Sequence, residues 1–300
     1  MTLRDRFRGC LLGLACGDAV GTTVEFRSRG SFPPVTDMVG GGVFGLKPGE
    51  WTDDTSMALC LGTSLVETSG FDAADQMRRY CRWVHDGYMS SNGRCFDVGN
   101  ATYDAIERFE KTGEPIAGST DPYTAGNGCI MRLAPVPMFF YPDRAAVLAR
   151  SAESSRLTHG APECLDACRL FGAILYQALS GADKEAILFA HAADGLATEN
   201  VQAIARGDWR DKAETQIKGS GYVVRSLEAA LWCFWHTDSF EAAVLKAANL
   251  GDDADTTAAV VGQVAGAFYG EPGIPARWLA RLALREEIAA LALGLMRPRE

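Results

Sequence analysis

The chain has 300 residues, 47% hydrophobic and 22% charged, with 32 Gly and 12 Pro, a balance that excludes intrinsic disorder. A chain of this length buries roughly 75% of the surface its unfolded form exposes, so its core needs neither disulfide nor structural metal. The net charge is −9 and no run of Lys and Arg exceeds a pair, which excludes a nucleic-acid groove and attraction to an acidic membrane.

Apolar residues recur at spacings of three and four over 7–20, 56–66, 73–84, 98–109, 145–155, 164–179, 222–235, 240–250 and 256–268, which predicts helices there. Gly70, Gly87, Gly113, Gly181, Gly251 and Gly270 supply helix stops. Alternating strand patterns are nearly absent, and there is no linker, low-complexity tract or fixed-period repeat. The expected fold is therefore all-α, a single compact multi-helix domain over 1–300. Segments 31–50 and 86–96 resist helix and are long enough to be functional loops.

In the first helix Gly9, Gly13, Gly17 and Gly21 fall at steps of four, as do Gly262, Gly266 and Gly270 near the end of the chain. Such residues share one helix stripe. Helical Gly costs about 0.8–1 kcal/mol relative to Ala, so the stripes imply close backbone approach, of the first and last core helices with each other. The nine cysteines, with no CxxC pair or zinc spacing, read as reduced core residues in a cytoplasm. Arg4, Arg6 and Arg8 ahead of Cys10–Cys16 outline a signal peptide, but the apolar stretch is short and carries Gly13, so a cytoplasmic location is expected. No apolar run approaches the roughly 20 residues of a membrane span.

Two acidic clusters each open an apolar helix: Thr52-Asp53-Asp54-Thr55, and Asp252-Asp253-Ala254-Asp255-Thr256-Thr257. Helix capping accounts for one such side chain per helix. It does not account for adjacent carboxylates without a countercharge, which a divalent cation would supply. On a regular helix Asp253 and Asp255 point about 200° apart, so both face one ion only if Asp253 lies in the loop and Asp255 near the cap. Carboxylates and Thr hydroxyls without His or Cys form a hard shell suited to Mg²⁺, Mn²⁺ or Ca²⁺. With Glu25, Asp53, Asp54, Asp253 and Asp255 the set is large enough for two ions. No GxxxxGK[ST], HExxH, GxSxG or strand-borne GxGxxG is present, which leaves metal-assisted hydrolysis.

Seven blocks carry a resemblance: RGCLLGLACGDAVGTTVEF (8–26), GGGVFGLKPGEWTDDTSMALCL (40–61), FDVGNAT (96–102), GNGCIMRLAPV (126–136), THG (158–160), GYVVRSLEAALWCF (221–234) and GDDADTTAAVVGQVAGAFYG (251–270). Through them the chain resembles the ADP-ribosylglycohydrolases, and among these the arginine-specific, dinitrogenase-reductase-activating type. The resemblance implies an all-α fold with a cleft holding two divalent cations, Mg²⁺ or Mn²⁺. It implies Thr52, Asp53, Asp54, Asp253, Asp255 and Thr256 as metal ligands, Glu25 as ligand or acid/base group, Asp54 in the catalytic set, and Asp252 as a supporting or capping residue. It places Asp97 beside the scissile ribose, although an Asp there also suits a helix cap. Asn100, Gly126, Asn127 and Gly128 would offer backbone N–H groups to the pyrophosphate. Tyr222 is an adenosine-stacking ring or a core tyrosine, and His159 a substrate contact or a structural histidine.

The implied activity is hydrolysis of the N-glycosidic bond between ADP-ribose and arginine, with an ADP-ribosylated protein as partner and ADP-ribose as product. The alternatives are O-linked ADP-ribose on serine, polymer or a metabolite, and a catalytically silent ADP-ribose binder.

Overall fold

The computed structural model describes residues 1–191 and 195–296; the remaining residues of the predicted 1–300 domain lie outside the described residues. The fifteen α-helices among the described residues are α1 (Leu3–Gly21), α2 (Asp53–Glu67), α3 (Ala73–Asp86), α4 (Asn100–Thr112), α5 (Gly128–Met131), α6 (Pro135–Phe140), α7 (Arg144–Arg156), α8 (Pro162–Ser180), α9 (Lys184–Phe189), α10 (Glu199–Arg206), α11 (Val223–Trp235), α12 (Phe240–Ala248), α13 (Ala254–Tyr269), α14 (Ala276–Leu279) and α15 (Arg285–Leu295). Pairing among the described residues is confined to isolated bridges, so the all-α expectation holds. The predicted helices correspond to α1–α4, α7, α8 and α11–α13. Short helices were not anticipated, nor was α15, although Ile288, Ala289, Ala292 and Leu295 bury one face at helical spacing. No helix among the described residues is long and apolar enough to cross a membrane.

The two glycine stripes meet, as their spacing predicts. A Cβ on Gly9, Gly13, Gly17 or Gly21 would lie within 2.3 Å of the carbonyl oxygen of Gly266, Gly262, Ala258 or Ala254 respectively. A Cβ on Gly262 would lie 2.1 Å from Gly13 O. Helix α1 therefore lies backbone to backbone along α13, closer than any side chain permits. A capping box of Thr2 and Asp5 starts α1. One large apolar cluster extends from Phe7 through Phe171, Phe234 and Trp278 to Leu295, and a smaller one gathers Met57, Met77, Tyr80, Trp83 and Leu157.

This close packing brings the C-terminal end of α1 beside the N-terminal end of α13, so the carboxylates that open α13 meet the residues that follow α1. The α13 entry is pinned to the segment after α1: Phe26 N donates to Asp252 O (2.7 Å) and Asp252 N to Arg27 O (2.8 Å). Asp252 takes a φ of 57° and is exposed, so it neither caps α13 nor reaches the cluster by its side chain, contrary to the expected supporting role. On the other side, Gln263 of α13 holds the α5 region, accepting from Ala134 N (2.8 Å) and donating to Ile130 O (3.1 Å) and Met131 O (2.8 Å).

Candidate metal centre and cleft

Thr52 and Asp253 occupy the cap positions of α2 and α13, yet neither makes a side-chain capping bond. Ordinary capping therefore does not explain these residues. The end of α2 is capped from outside: buried Asp18, on the last turns of α1, accepts from Thr52 N (2.8 Å), Thr52 Oγ1 (2.9 Å), Thr55 N (3.0 Å) and Thr55 Oγ1 (2.6 Å). That leaves the acidic side chains of α2 and α13 to face each other. Asp253 sits just outside α13 and Asp255 in its first turn, the loop-and-cap placement needed if both are to face one ion.

Thr52 Oγ1 lies 2.9 Å from Asp18 Oδ1, 3.2 Å from Asp54 Oδ2 and 3.1 Å from Asp255 Oδ2. One hydroxyl has one proton, so at most one of these approaches is a hydrogen bond donated by Thr52. Thr256 Oγ1 approaches the same Asp54 Oδ2 at 3.4 Å, and Thr256 N donates to Asp255 Oδ1 (2.8 Å). Carboxylate oxygens of Asp18, Asp54 and Asp255 come within 4.8 Å of one another, and those of Glu25, Asp97 and Asp255 form a second such group sharing Asp255. Asp53 and Asp253 line the same cavity outside these two groups. Asp253 Oδ2 accepts from Asn127 Nδ2 (2.7 Å).

The electrostatics favour cations. Among the described residues lining this cavity of about 460 Å³, five are carboxylates and none is Lys or Arg. Burial, then the neighbouring carboxylates Asp97 and Asp253, pushes Glu25 up to about 9. Burial, with Asp18 and Asp253, pushes Asp97 up to about 7. Asp53, Asp54 and Asp255 are held well above the usual carboxylate range by burial and mutual repulsion. Asp18, buried but bonded by Thr52 and Thr55, rises only to about 6. Two buried oxygens, Asp54 Oδ1 and Glu25 Oε2, have no hydrogen-bond partner. Unpartnered buried carboxylate oxygens beside close anionic neighbours fit hard divalent cations.

The cavity continues to the N-terminal end of α4. Gly99 caps that helix and has no side chain to offer, leaving its first N–H groups without a side-chain cap. Asp97 takes a φ of 61° two residues before the cap, so it is no N-cap; its carboxylate joins Glu25 and Asp255. Asn100, Gly126, Asn127, Gly128 and His159 all line the cavity. The expectation that Gly126 and Asn127 offer backbone N–H groups needs correction: Gly126 N donates to Thr124 O (2.8 Å) and Asn127 N to Gly221 O (3.0 Å). Gly126 and Gly128 make room for His159, since a Cβ on Gly128 would lie 2.8 Å from its Cε1.

His159 is both structural and exposed to the cavity. Thr158 Oγ1 accepts from buried Arg132 Nη2 (2.6 Å) and lies 2.8 Å from His159 Nδ1. Its own proton can then go to Nδ1, the arrangement in which the imidazole carries its proton on Nε2. Burial lowers this histidine to about 4, and it stays neutral above that pH. Tyr222 is half-buried; its hydroxyl donates to Glu163 Oε2 (2.6 Å) and its ring lines a more open extension of the cleft, about 830 Å³, that shares Asn100, Ala101, Gly126 and Gly221 with the first cavity.

Asp18 is a residue of this carboxylate cluster that sequence reasoning missed. A carboxylate between Gly17 and Ala19 on an otherwise apolar, glycine-striped helix was the available signal, since such a face buries a charge only against partners.

These features define an all-helical protein, among the described residues, with a buried cleft of carboxylates that could hold metal ions. The ADP-ribosylglycohydrolase family model matches residues 1–300, and the chain belongs to that family. It is 46% identical over 298 residues, 99% of this chain and 81% of the other, to ADP-ribosylarginine hydrolase Tri1 of Serratia proteamaculans (strain 568). It is 34% identical to the ADP-ribosyl-[dinitrogen reductase] glycohydrolase of Rhodospirillum rubrum, over 95% of this chain and 93% of that one. A solved structure titled ADP-ribosylglycohydrolase-related protein complex superposes with a TM-score of 0.87 at 44% identity, covering 98% of both chains.

Proposed function

We propose that this protein hydrolyses the N-glycosidic bond between ADP-ribose and an arginine side chain of a modified protein, releasing ADP-ribose in the cytoplasm. The observation that carries the reading is the Glu25–Asp97–Asp255 group on the cavity wall, a set of carboxylates at the place where a cationic, planar leaving group would sit. Relatives named for this activity support it.

Thr52, Asp53, Asp54, Asp253, Asp255 and Thr256 would hold two divalent cations, Mg²⁺ or Mn²⁺. When bound, these supply electrostatic anchoring of the ribose hydroxyls and activation of water. Asp18 orients Thr52 rather than joining them, because its oxygens are already taken. Asp97 pairs with the guanidinium and aligns the C1″–N bond. Positive charge developing on the ribose is stabilised by the surrounding carboxylates. With the cations in place Glu25, whose Oε2 is buried without a partner, would be ionised; it takes the proton from the attacking water and hands it to the departing guanidine, which leaves as guanidinium. Uncapped N–H groups at the start of α4 receive the pyrophosphate, His159 Nε2–H donates to the same substrate, and the Tyr222 ring supports the adenosine. Residues 1–300 act as one domain in this reading.

The direct test is release of ADP-ribose from arginine-linked and serine-linked ADP-ribosyl peptides with Mg²⁺, with Mn²⁺ and with chelator. Release from the arginine linkage alone, and only with metal, is expected; release from serine linkages alone overturns the substrate class. Asp97→Asn keeps size and removes charge, so it is expected to stay folded, bind ADP-ribose and lose arginine-linked turnover by about 10²-fold or more, the scale of a catalytic electrostatic group.

A further inference from the structure

Three phenylalanines form an arc over the loops that carry Glu25 and Asp97, two of the five carboxylates lining the cavity. Phe26 follows Glu25 and Phe96 precedes Asp97, and Phe44 joins them, with ring centroids 6.4 Å from Phe26 and 5.2 Å from Phe96. Phe26 has a φ of 60° and Asp97 of 61°, a region that strains a bulky side chain and persists where the surroundings demand it. Phe26 is nevertheless 67% exposed and Val43, beside Phe44, is 63% exposed, so the arc presents apolar surface outward. The turn that carries Val43 and Phe44, with Gly41, Gly42 and Gly45 at positive φ, presses on the segment before Glu25: a Cβ on Gly42 would lie 2.2 Å from Thr22 O. Behind the arc Phe44, Leu46, Arg94 and Phe96 line a small cavity of about 170 Å³.

We propose that this arc is the docking surface for the polypeptide around the modified arginine, and that it favours an apolar side chain next to that arginine, seated on Phe44 and Phe96. The proposal rests on the arginine-linkage reading above. The occupant follows from the direction of the cleft. Beyond Gly126 the cavity runs on past Tyr222 into an extension of about 830 Å³, room for the adenosine half of ADP-ribose. The scissile linkage then lies at Glu25 and Asp97, and the protein attached to it leaves across Phe26, Phe44 and Phe96. Exposed apolar surface rimming a polar cleft is the usual mark of a protein contact.

Three arginine-linked substrates separate the outcomes: ADP-ribosyl-agmatine, a peptide with Leu on both sides of ADP-ribosyl-arginine, and the same peptide with Ser. Wild type is expected to favour the Leu peptide over the Ser peptide in kcat/KM by about ten-fold, the scale of one apolar contact in a pocket. Phe44→Ser and Val43→Glu are each expected to erase that preference while ADP-ribosyl-agmatine turnover stays within about two-fold. Val43→Glu charges the surface without touching the ring contacts, so it answers even if Phe44→Ser loosens the Asp97 loop. No preference in wild type, or equal loss of agmatine and peptide turnover in Val43→Glu, overturns the docking surface. Wild type inactive on ADP-ribosyl-agmatine overturns the arginine reading itself and the surface with it.

Discussion

Asp18 takes four hydrogen bonds from Thr52 and Thr55, two from backbone N–H groups that cannot turn away. In Asp18→Asn the amide must face one of those N–H donors, and the clash is expected to cost about 1–3 kcal/mol in urea unfolding. Because Thr52 Oγ1 touches Asp54 and Asp255, Mn²⁺ affinity by titration calorimetry falls as well; unchanged affinity would detach Thr52 from the ion site. His159 gives a prediction with a defined sign. Its usual value near 6.5 is lowered by burial to about 4, so the unfolded chain binds the proton that the folded chain refuses. The stabilising contribution is complete above pH 6.5, is lost as pH falls from 6.5 towards 4, and amounts to something on the order of 3 kcal/mol. The acid limb of the melting temperature should flatten in His159→Gln.

At the scale of elements, the junction of α1 with α13 is a demanding contact, backbone against backbone along both helices. Gly17→Ala would set its Cβ 2.0 Å from Ala258 O, whereas a Cβ on Gly70 meets nothing within 4 Å. Backbone cannot yield as a flexible side chain can, so Gly17→Ala is expected to cost at least about 1–3 kcal/mol. Gly70→Ala should change stability by less than about 0.5 kcal/mol. Both are read from denaturant midpoints. The same junction sets the register of Asp18 and Glu25 against Asp255, so Gly17→Ala should also lower turnover. Spacing alone predicted this helix pair, because a four-residue glycine step is a stripe wherever it occurs.

At the scale of the whole molecule, the centre draws Asp18 and Glu25 from one end of the chain, Asp54 and Asp97 from its first third, and Asp255 from near the other end. In the two-cation reading, ions held by the residues opening α2 and α13 would tie these distant segments together and would bind the folded chain. Saturating Mg²⁺ or Mn²⁺ is therefore expected to raise the midpoint of one calorimetric transition by roughly 5 °C or more over protein in chelator. Two transitions, only one of them shifted by metal, would contradict a single domain over 1–300.

The helices, the glycine contact and the two acidic pairs were legible because each is a local pattern: a 3.6-residue period, a four-residue step, or adjacent carboxylates ahead of an apolar run. The placement of Asp253 outside α13 and Asp255 inside it is the one helix geometry demands if both are to face one ion. Asp18 was not legible, because capping of α2 by a residue 34 and 37 positions earlier exists only once α1 has packed. Nor was the engagement of the Gly126 and Asn127 N–H groups, since Asn127 N is taken by Gly221 O through a pairing nearly a hundred residues away. The inward turn of Asp97 and the aromatic arc beside it likewise depend on backbone conformations that the local sequence disfavours. Local pattern determined which elements form and which residues carry charge; tertiary packing decided which oxygens are satisfied and which are left facing the cleft.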